Sequence, residues 1–264
     1  MSWSLLGEQL ELLGPDIVAV ALCAARLVPV AFLCPLLGGQ AAPTTVKLSL
    51  VLSLSLFLRL VAGVGLSTPV ESPLVLGALV LKELVYGTSV GLVAALPFDA
   101  ARMGGRFIDL FRGTSAEASL PVAGSRESAT GDGLYQLLVM LVVTGGLFPA
   151  VVSGLLRGFG VVGLGAFVPS ESAALFVVRL AGGAMATGLA VGAPIAAAAL
   201  AVDCLMGMAS RAAPQMNLQE LGAPLRILGG GAILWLGIGV LCERLLAGVM
   251  DLEGTLLLLG EAAR

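Results

Sequence analysis

The chain has no histidine, which removes the commonest general base and the commonest metal ligand. Charge is scarce as well. Asp, Glu, Lys and Arg make up 12% of the 264 residues, against 58% hydrophobic residues and a mean hydropathy of +1.04. Soluble domains carry about twice that share of charge, so this composition suits a chain solvated by lipid or by partner subunits. No basic tract occurs and the net charge is −3, so no nucleic-acid partner is expected. Cys23, Cys34, Cys204 and Cys242 lie in apolar stretches without C-x-x-C spacing and read as small buried side chains, not as a disulfide or zinc framework. The first fifteen residues hold Glu8 and Glu11 but no Lys or Arg; without a basic n-region, the first span is expected to stay in the mature protein. A phosphate loop, a nucleophile elbow, H-E-x-x-H and metal-spaced clusters are all missing, and Gly229-Gly-Gly231 is a glycine run entering a hydrophobic span. Neither an enzyme nor a cofactor is expected.

What the chain has is long apolar runs. Six are long enough to cross a hydrocarbon core of about 30 Å, which takes about 20 helical residues. They lie near 17–37, 46–66, 74–98, 134–156, 173–202 and 227–250, with polar segments at 99–133 and 203–226. Backbone groups in lipid must pair internally and the runs do not alternate like strands, so the expected fold is all-α, a polytopic membrane protein read as one membrane domain over 1–264. Pro29 and Pro35 are expected to interrupt the first run, Pro97 to end the third, and Pro194 lies inside the fifth. Gly87-x-x-x-Gly91, Gly154-x-x-x-Gly158 and Gly188-x-x-x-Gly192 have the spacing that permits close helix approach. Lys47, Arg102, Arg106, Arg112, Arg126, Arg211 and Arg226 hold or adjoin alternate loops, a bias that places both termini outside.

Charges within the spans are the first candidates for function: Arg26, Arg59, Lys82, Glu83, Arg179, Asp203, Glu243 and Arg244. Such groups serve as ion or proton relays, or pair between helices and subunits, or snorkel near span ends. Lys82 and Glu83 are consecutive, about 100° apart on a helix, so each needs a partner elsewhere. From Asp99 to Arg112, polar residues Asp99, Arg102, Arg106 and Asp109 recur at steps of three and four, with Met103, Phe107, Leu110 and Phe111 on another face. That is the pattern of an amphipathic interfacial helix. The stretch Gly113-Thr-Ser-Ala-Glu-Ala-Ser-Leu-Pro121 is small, polar and unsuited to lipid, so it belongs in water, among headgroups or in a protein-lined cavity. Pro214, Gln215, Asn217 and Pro224 form either a re-entrant turn or a polar segment whose amides cap helix ends or bond a neighbouring subunit. Pro214 and Pro224 are expected to keep the flanking helices from extending into it.

Arg211-Ala-Ala-Pro-Gln-Met-Asn217 followed by Leu-Gln-Glu-Leu-Gly-Ala-Pro-Leu-Arg226, together with Gly104-Gly-Arg-Phe-Ile-Asp-Leu-Phe-Arg-Gly113, Thr114-Ser-Ala-Glu-Ala118 and Leu120-Pro121, resembles the SctT/FliR family. Its members are inner-membrane subunits of the export apparatus of type III secretion systems and of the flagellar exporter. Glu83, Gly87 and Gly91 match the family's Glu-x-x-x-Gly-x-x-x-Gly pattern, and Arg26-x-x-Pro29, Pro35, Pro43 and Lys47 its opening pattern. The Ile108-Asp109-x-x-Arg112-Gly113 form is closer to the virulence branch than to the flagellar one, although Phe111 replaces the usual glutamine. The resemblance implies one copy of the chain completing a helical ring with SctR- and SctS-type subunits, joined by SctU- and SctV-type components, through which unfolded secreted polypeptides pass. It also implies that the assembled gate sits partly above the bilayer plane, so not every hydrophobic helix need be a crossing. Asp109, Arg112, Gly113, Thr114, Ser115, Glu117 and Pro121 would then form the pore closure. Glu83, Gly87, Gly91, Pro214, Gln215, Asn217 and Pro224 would serve subunit packing. A secondary transporter or small-solute permease accounts for broken helices and buried charges too, but predicts inverted repeats, and residues 1–130 and 131–264 show no convincing similarity.

Overall fold

The computed structural model describes residues 3–39, 42–66, 72–112, 117–118, 127–212 and 219–263. In chain order they form α1 (Trp3–Leu33), a single 3₁₀ turn (Pro35–Leu37), α2 (Thr44–Leu60), α3 (Pro73–Arg112), the two-residue strands β1 (Glu117–Ala118) and β2 (Glu127–Ser128), α4 (Ala129–Thr144), α5 (Phe148–Val161), α6 (Glu171–Ala212), α7 (Gln219–Met250) and α8 (Leu252–Ala262). The fold is all-α and that of a polytopic membrane protein. Gly14–Leu33, Pro73–Arg112, Glu171–Ala212 and Pro224–Ala262 are long and apolar enough to cross a membrane, and α4 with α5 makes a fifth span if that bent pair is counted as one.

Several boundaries differ from those read in the sequence. α1 runs through Pro15 and Pro29 and ends just before Pro35. Pro97 does not end α3, which continues to Arg112. A single proline removes one backbone donor, and here the turns after it are held by side chains with no exposure, Phe98, Ala101 and Ile108. The fourth apolar run is broken between α4 and α5, where Gly146 takes a positive φ of 73°. A glycine in that left-handed region and Pro149 in the opening turn of α5 are what a sharp break requires. α2 has 17 residues, short of the roughly 20 needed to cross. α7 starts at Gln219 and passes through Pro224, so Pro224 does not hold that helix back as expected.

Contacts divide the chain into two compact units. The first comprises Met1–Ala95, Gly146–Leu180 and Asp251–Arg264. Within it α1 and α2 pack as a hairpin. Phe32 lies under the buried ammonium of Lys47 at 4.6 Å, and Asp16 accepts from Arg59 Nε at 2.8 Å. The buried side chains of α1, among them Leu22, Cys23, Leu27 and Val30, recur at helical spacing. The same face meets α3 through Gly87 and Gly91. A Cβ on Gly87 would collide with the carbonyl of Arg26, and one on Gly91 would stand 3.0 Å from the Cα of Val30. α5 packs on α8 at Gly154, where a Cβ would stand 3.2 Å from the Cα of Glu253, whereas a Cβ on Gly158 would meet nothing within 4 Å.

The second unit comprises Leu96–Gly145 and Ala181–Met250. In it α3 touches α6 where a Cβ on Gly104 would stand 2.9 Å from the carbonyl of Gly188, and one on Gly192 2.6 Å from the Phe107 ring. The next residue, Gly105, admits α4, since its Cβ would strike the backbone of Thr130 and Gly131. Consecutive glycines on α3 therefore serve two different helices. The cysteines are not uniformly buried as expected: Cys23 and Cys34 are, Cys242 is half-buried and Cys204 is exposed. Burial pushes the Cys34 thiol above its ordinary pKa, so at neutral pH it is an apolar filler and not a nucleophile.

Candidate functional site

Among the described residues, each unit holds a buried polar cluster. In the first, Arg26 on α1 and Glu83 on α3 form an ion pair, with Nε to Oε2 at 2.5 Å and Nη2 to Oε1 at 3.1 Å, and neither residue is more than 2% exposed. The guanidinium also donates to the carbonyls of Val162 at 2.7 Å and Gly163 at 3.2 Å, in the turn after α5. Glu83 Oε1 accepts the backbone N–H of Gly165 at 2.7 Å, a residue whose φ of 75° favours glycine. The rings of Phe159 and Tyr86 lie 4.5 and 4.8 Å from the guanidinium carbon. Arginine presents five donors in a fixed fork, and here that fork joins three separate segments of chain. A carboxylate accepting three bonds with no exposure is placed to hold helices together.

The second cluster sits where α3 ends and α4 begins. Asp109 Oδ2 accepts from the Ser128 hydroxyl at 2.6 Å and the Thr130 N–H at 3.0 Å, while Oδ1 accepts from the Thr130 hydroxyl at 2.5 Å. Ser128 caps α4 in turn, accepting from the Gly131 N–H at 2.9 Å. Two turns earlier, Arg102 faces the buried Asp132 at 3.4 Å and covers the Tyr135 ring at 4.1 Å. Arg112, the last residue of α3, reaches α7: its Nη2 donates to the Ile227 carbonyl at 3.1 Å, and its stem lies where a Cβ on Gly230 would stand, 2.7 Å from Cγ. The Gly229-Gly-Gly231 run thus seats an arginine from another helix. The amphipathic expectation for this stretch holds in part: Arg106 is exposed and Phe107 and Phe111 are half-buried, but other positions depart from it. Arg102 and Asp109 are buried against α4, because α4 supplies their partners, while Leu110 is 73% exposed.

In sequence, the segment 113–126 separates Arg112 from Glu127. β1 pairs antiparallel with β2, Glu117 opposite Ser128 and Ala118 opposite Glu127, so the two ends of the segment are brought together by backbone as well as by Asp109. Gly113, Thr114, Ser115 and Pro121 lie outside the described residues, and for Glu117 the backbone pairing alone is described. Pro214, Gln215 and Asn217 also lie outside them; Pro224 is exposed on α7. Gly87 and Gly91 meet α1 of this same chain. Of the intramembrane charges, Arg59 pairs with Asp16, and Asp203 with Arg226 at 3.3 Å. Lys82 is half-buried and Arg179 exposed, and no described acid pairs with either. Sequence reasoning missed that Asp109 binds the start of α4 and that Gly230 receives Arg112; an aspartate followed about twenty residues on by Ser-x-Thr is the faint signal for the first.

The chain is 28% identical over 218 residues to the flagellar biosynthetic protein FliR of Aquifex aeolicus, covering 81% of this chain and 82% of that protein. It is 26% identical over 153 residues to FliR of Bacillus subtilis, and 28% identical over 151 residues to the Yop proteins translocation protein T of Yersinia pestis. Those two alignments cover 59% and 58% of the relatives and 56% of this chain. The family model described as bacterial export proteins, family 1, matches residues 17–251, and the chain belongs to that family, the FliR/SctT family of export apparatus proteins.

Proposed function

We propose that this chain is a wall and closure subunit of a type III export gate in the bacterial inner membrane. In this reading it assembles with SctR- and SctS-type subunits, is joined by SctU- and SctV-type components, and lines and closes the path of unfolded polypeptides. It performs no bond chemistry. The single observation that carries the closure role is the bracketing of segment 113–126. A short polar stretch unsuited to lipid is tied at both ends, by the Asp109 carboxylate to Ser128 and Thr130 and by the β1–β2 pairing. A loop fixed at both ends can occlude a path without drifting into lipid, and Arg112, the residue before it, is tied to α7. Gln215 and Asn217 enter the proposal as amides bonded to a neighbouring subunit at the mouth of the same path. The Asp109-x-x-Arg112-Gly113 form favours the secretion branch over the flagellar one. A proton-coupled permease is disfavoured by Glu83, whose carboxylate is enclosed by Arg26 and Gly165 and faces no solvent.

Removing Thr114–Ala118 tests the closure. The assembled resting complex, reconstituted in liposomes, becomes leaky to ions and small solutes if the loop occludes the path. Wild-type permeability in a correctly assembled deletion complex assigns the loop to packing and overturns its closure role.

A further inference from the structure

Two arginines that join helices are held in opposite ways. The Arg26 fork donates to both oxygens of a carboxylate and to two backbone carbonyls. Arg112, the last residue of α3, donates from Nη2 to the Ile227 carbonyl of α7, and its Nε is buried with no partner among the described residues. Asp109 Oδ1 stands 3.9 Å from Nη1, beyond hydrogen-bond length, and already accepts from the Thr130 hydroxyl. The Ile227 carbonyl lies inside α7, where the amide four residues on, that of Gly231, is its ordinary partner. Arg112 therefore shares an acceptor that the helix itself uses.

Packing, more than polar pairing, keeps the side chain there. A Cβ on Gly230 would stand 2.7 Å from Arg112 Cγ, 3.0 Å from Cδ and 3.2 Å from Nε, so the bare glycine is the floor of a seat for the stem. The seated side chain is only 15% exposed. A guanidinium carries five donors, and a buried donor without a partner favours any state in which water or an acid reaches it. Steric fit thus holds Arg112 on α7, while its unpaired donor favours release. A permanent staple would be satisfied as Arg26 is.

We infer that Arg112 on Gly230 is a releasable latch. Seated, it holds the end of α3 on α7 in the resting state; released, its guanidinium is hydrated and the two helices part as the path opens. The inference rests on the closure reading of the proposed gate and adds the contact that controls it.

The test uses the complex assembled with its partner subunits, and two substitutions should act in opposite directions. Gly230→Ala puts a methyl where the Arg112 stem lies, and should raise the ion leak of liposomes holding the resting complex roughly fivefold. Arg112→Met keeps an unbranched stem on the glycine and removes the unpaired donor. It should hold the closed state, with leak no higher than wild type and export slowed roughly fivefold. Gly239→Ala, on α7 where a Cβ meets nothing within 4 Å, brings the same gain in helix propensity and should behave as wild type. Spin labels at the exposed positions 110 and 228, in a chain lacking Cys204 and Cys242, read the separation of α3 and α7 directly. Wild type and Arg112→Met are expected to give one narrow distance, and Gly230→Ala a longer and broader one. A Gly230→Ala complex with wild-type leak or wild-type distance overturns the latch. If that variant fails to assemble, Arg112→Met decides alone, and export at the wild-type rate or faster overturns the latch. Removal of Thr114–Ala118 in parallel separates the two readings. A leaky deletion beside a tight Gly230→Ala complex sinks the latch and leaves the closure standing, whereas no leak from either defeats both.

Discussion

Glu83 and Arg26 are the residues whose loss the fold tolerates least. Each is enclosed, and each satisfies the other together with three backbone groups of the turn 162–165. Deleting one member of a buried ion pair leaves an uncompensated charge, which costs about 3–5 kcal/mol, whereas replacing both by apolar groups of similar volume is often neutral. Glu83→Leu is therefore expected to lower the stability of the purified complex by roughly 3–5 kcal/mol. The double variant Arg26→Met/Glu83→Leu should recover a large part of it, losing mainly the tether to Val162 and Gly163. Thermal unfolding of the three complexes, each compared with wild type, measures this. A double variant no more stable than Glu83→Leu alone would show that the backbone tether outweighs the charge pairing. Lys82, one position earlier and about 100° around α3, takes no part in this network.

The next scale up is the helix, where the consecutive glycines 104 and 105 decide which neighbours α3 can have. Gly105 lets α4 approach until the backbones touch, and that approach delivers Ser128 and Thr130 to Asp109. Gly105→Leu is expected to push α4 away, break the bracket around segment 113–126, and reduce export to background with partner co-purification reduced. Gly133→Ala, on α4 at a position where a Cβ meets nothing within 4 Å, should export as wild type. Export in a Gly105→Leu strain at wild-type levels would mean that the bracket is dispensable. Much of this level was legible in the sequence. Apolar runs and the absence of strand alternation point to long helices, and Gly87-x-x-x-Gly91 and Gly188-x-x-x-Gly192 mark real close approaches. What was not legible follows from how helices end. Proline lowers helix stability by a few kcal/mol, and buried Phe98, Ala101 and Ile108 offset that for α3, so Pro97 reads as a stop and is not one. Gly146 ends a helix by its φ, which no residue name announces among 36 glycines. Pairings such as Arg26 with Glu83, 57 residues apart, depend on helix register in three dimensions, which a single sequence does not carry.

For the whole molecule, the question is what covers the surfaces that neither unit buries. Trp235 is 75% exposed, Leu236 76% and Leu228 71% on α7, with Met208 and Leu205 on α6 and Leu74 and Leu81 on α3. Apolar surface of this kind belongs against lipid or against another subunit. The charges separate the two cases. Lys82 and Arg179 stand on apolar helices with no described acid beside them, and a lone cation at bilayer depth is costly unless a partner or water meets it. Carboxylates on neighbouring subunits would meet that need. Expressed alone in detergent, the chain is therefore expected to aggregate or be degraded, and co-expression with SctR- and SctS-type partners should yield a monodisperse complex. Within that complex, Lys82→Gln/Arg179→Gln should weaken partner retention, while Leu236→Ala, within the uncharged stretch 227–242 of α7, should leave it unchanged. Size-exclusion chromatography with subunit quantification distinguishes these outcomes. A stable lone monomer that moves a small solute across liposomes would defeat the gate assignment. Full retention of partners by the double charge variant would mean that water or lipid, and not a neighbouring acid, meets those two cations.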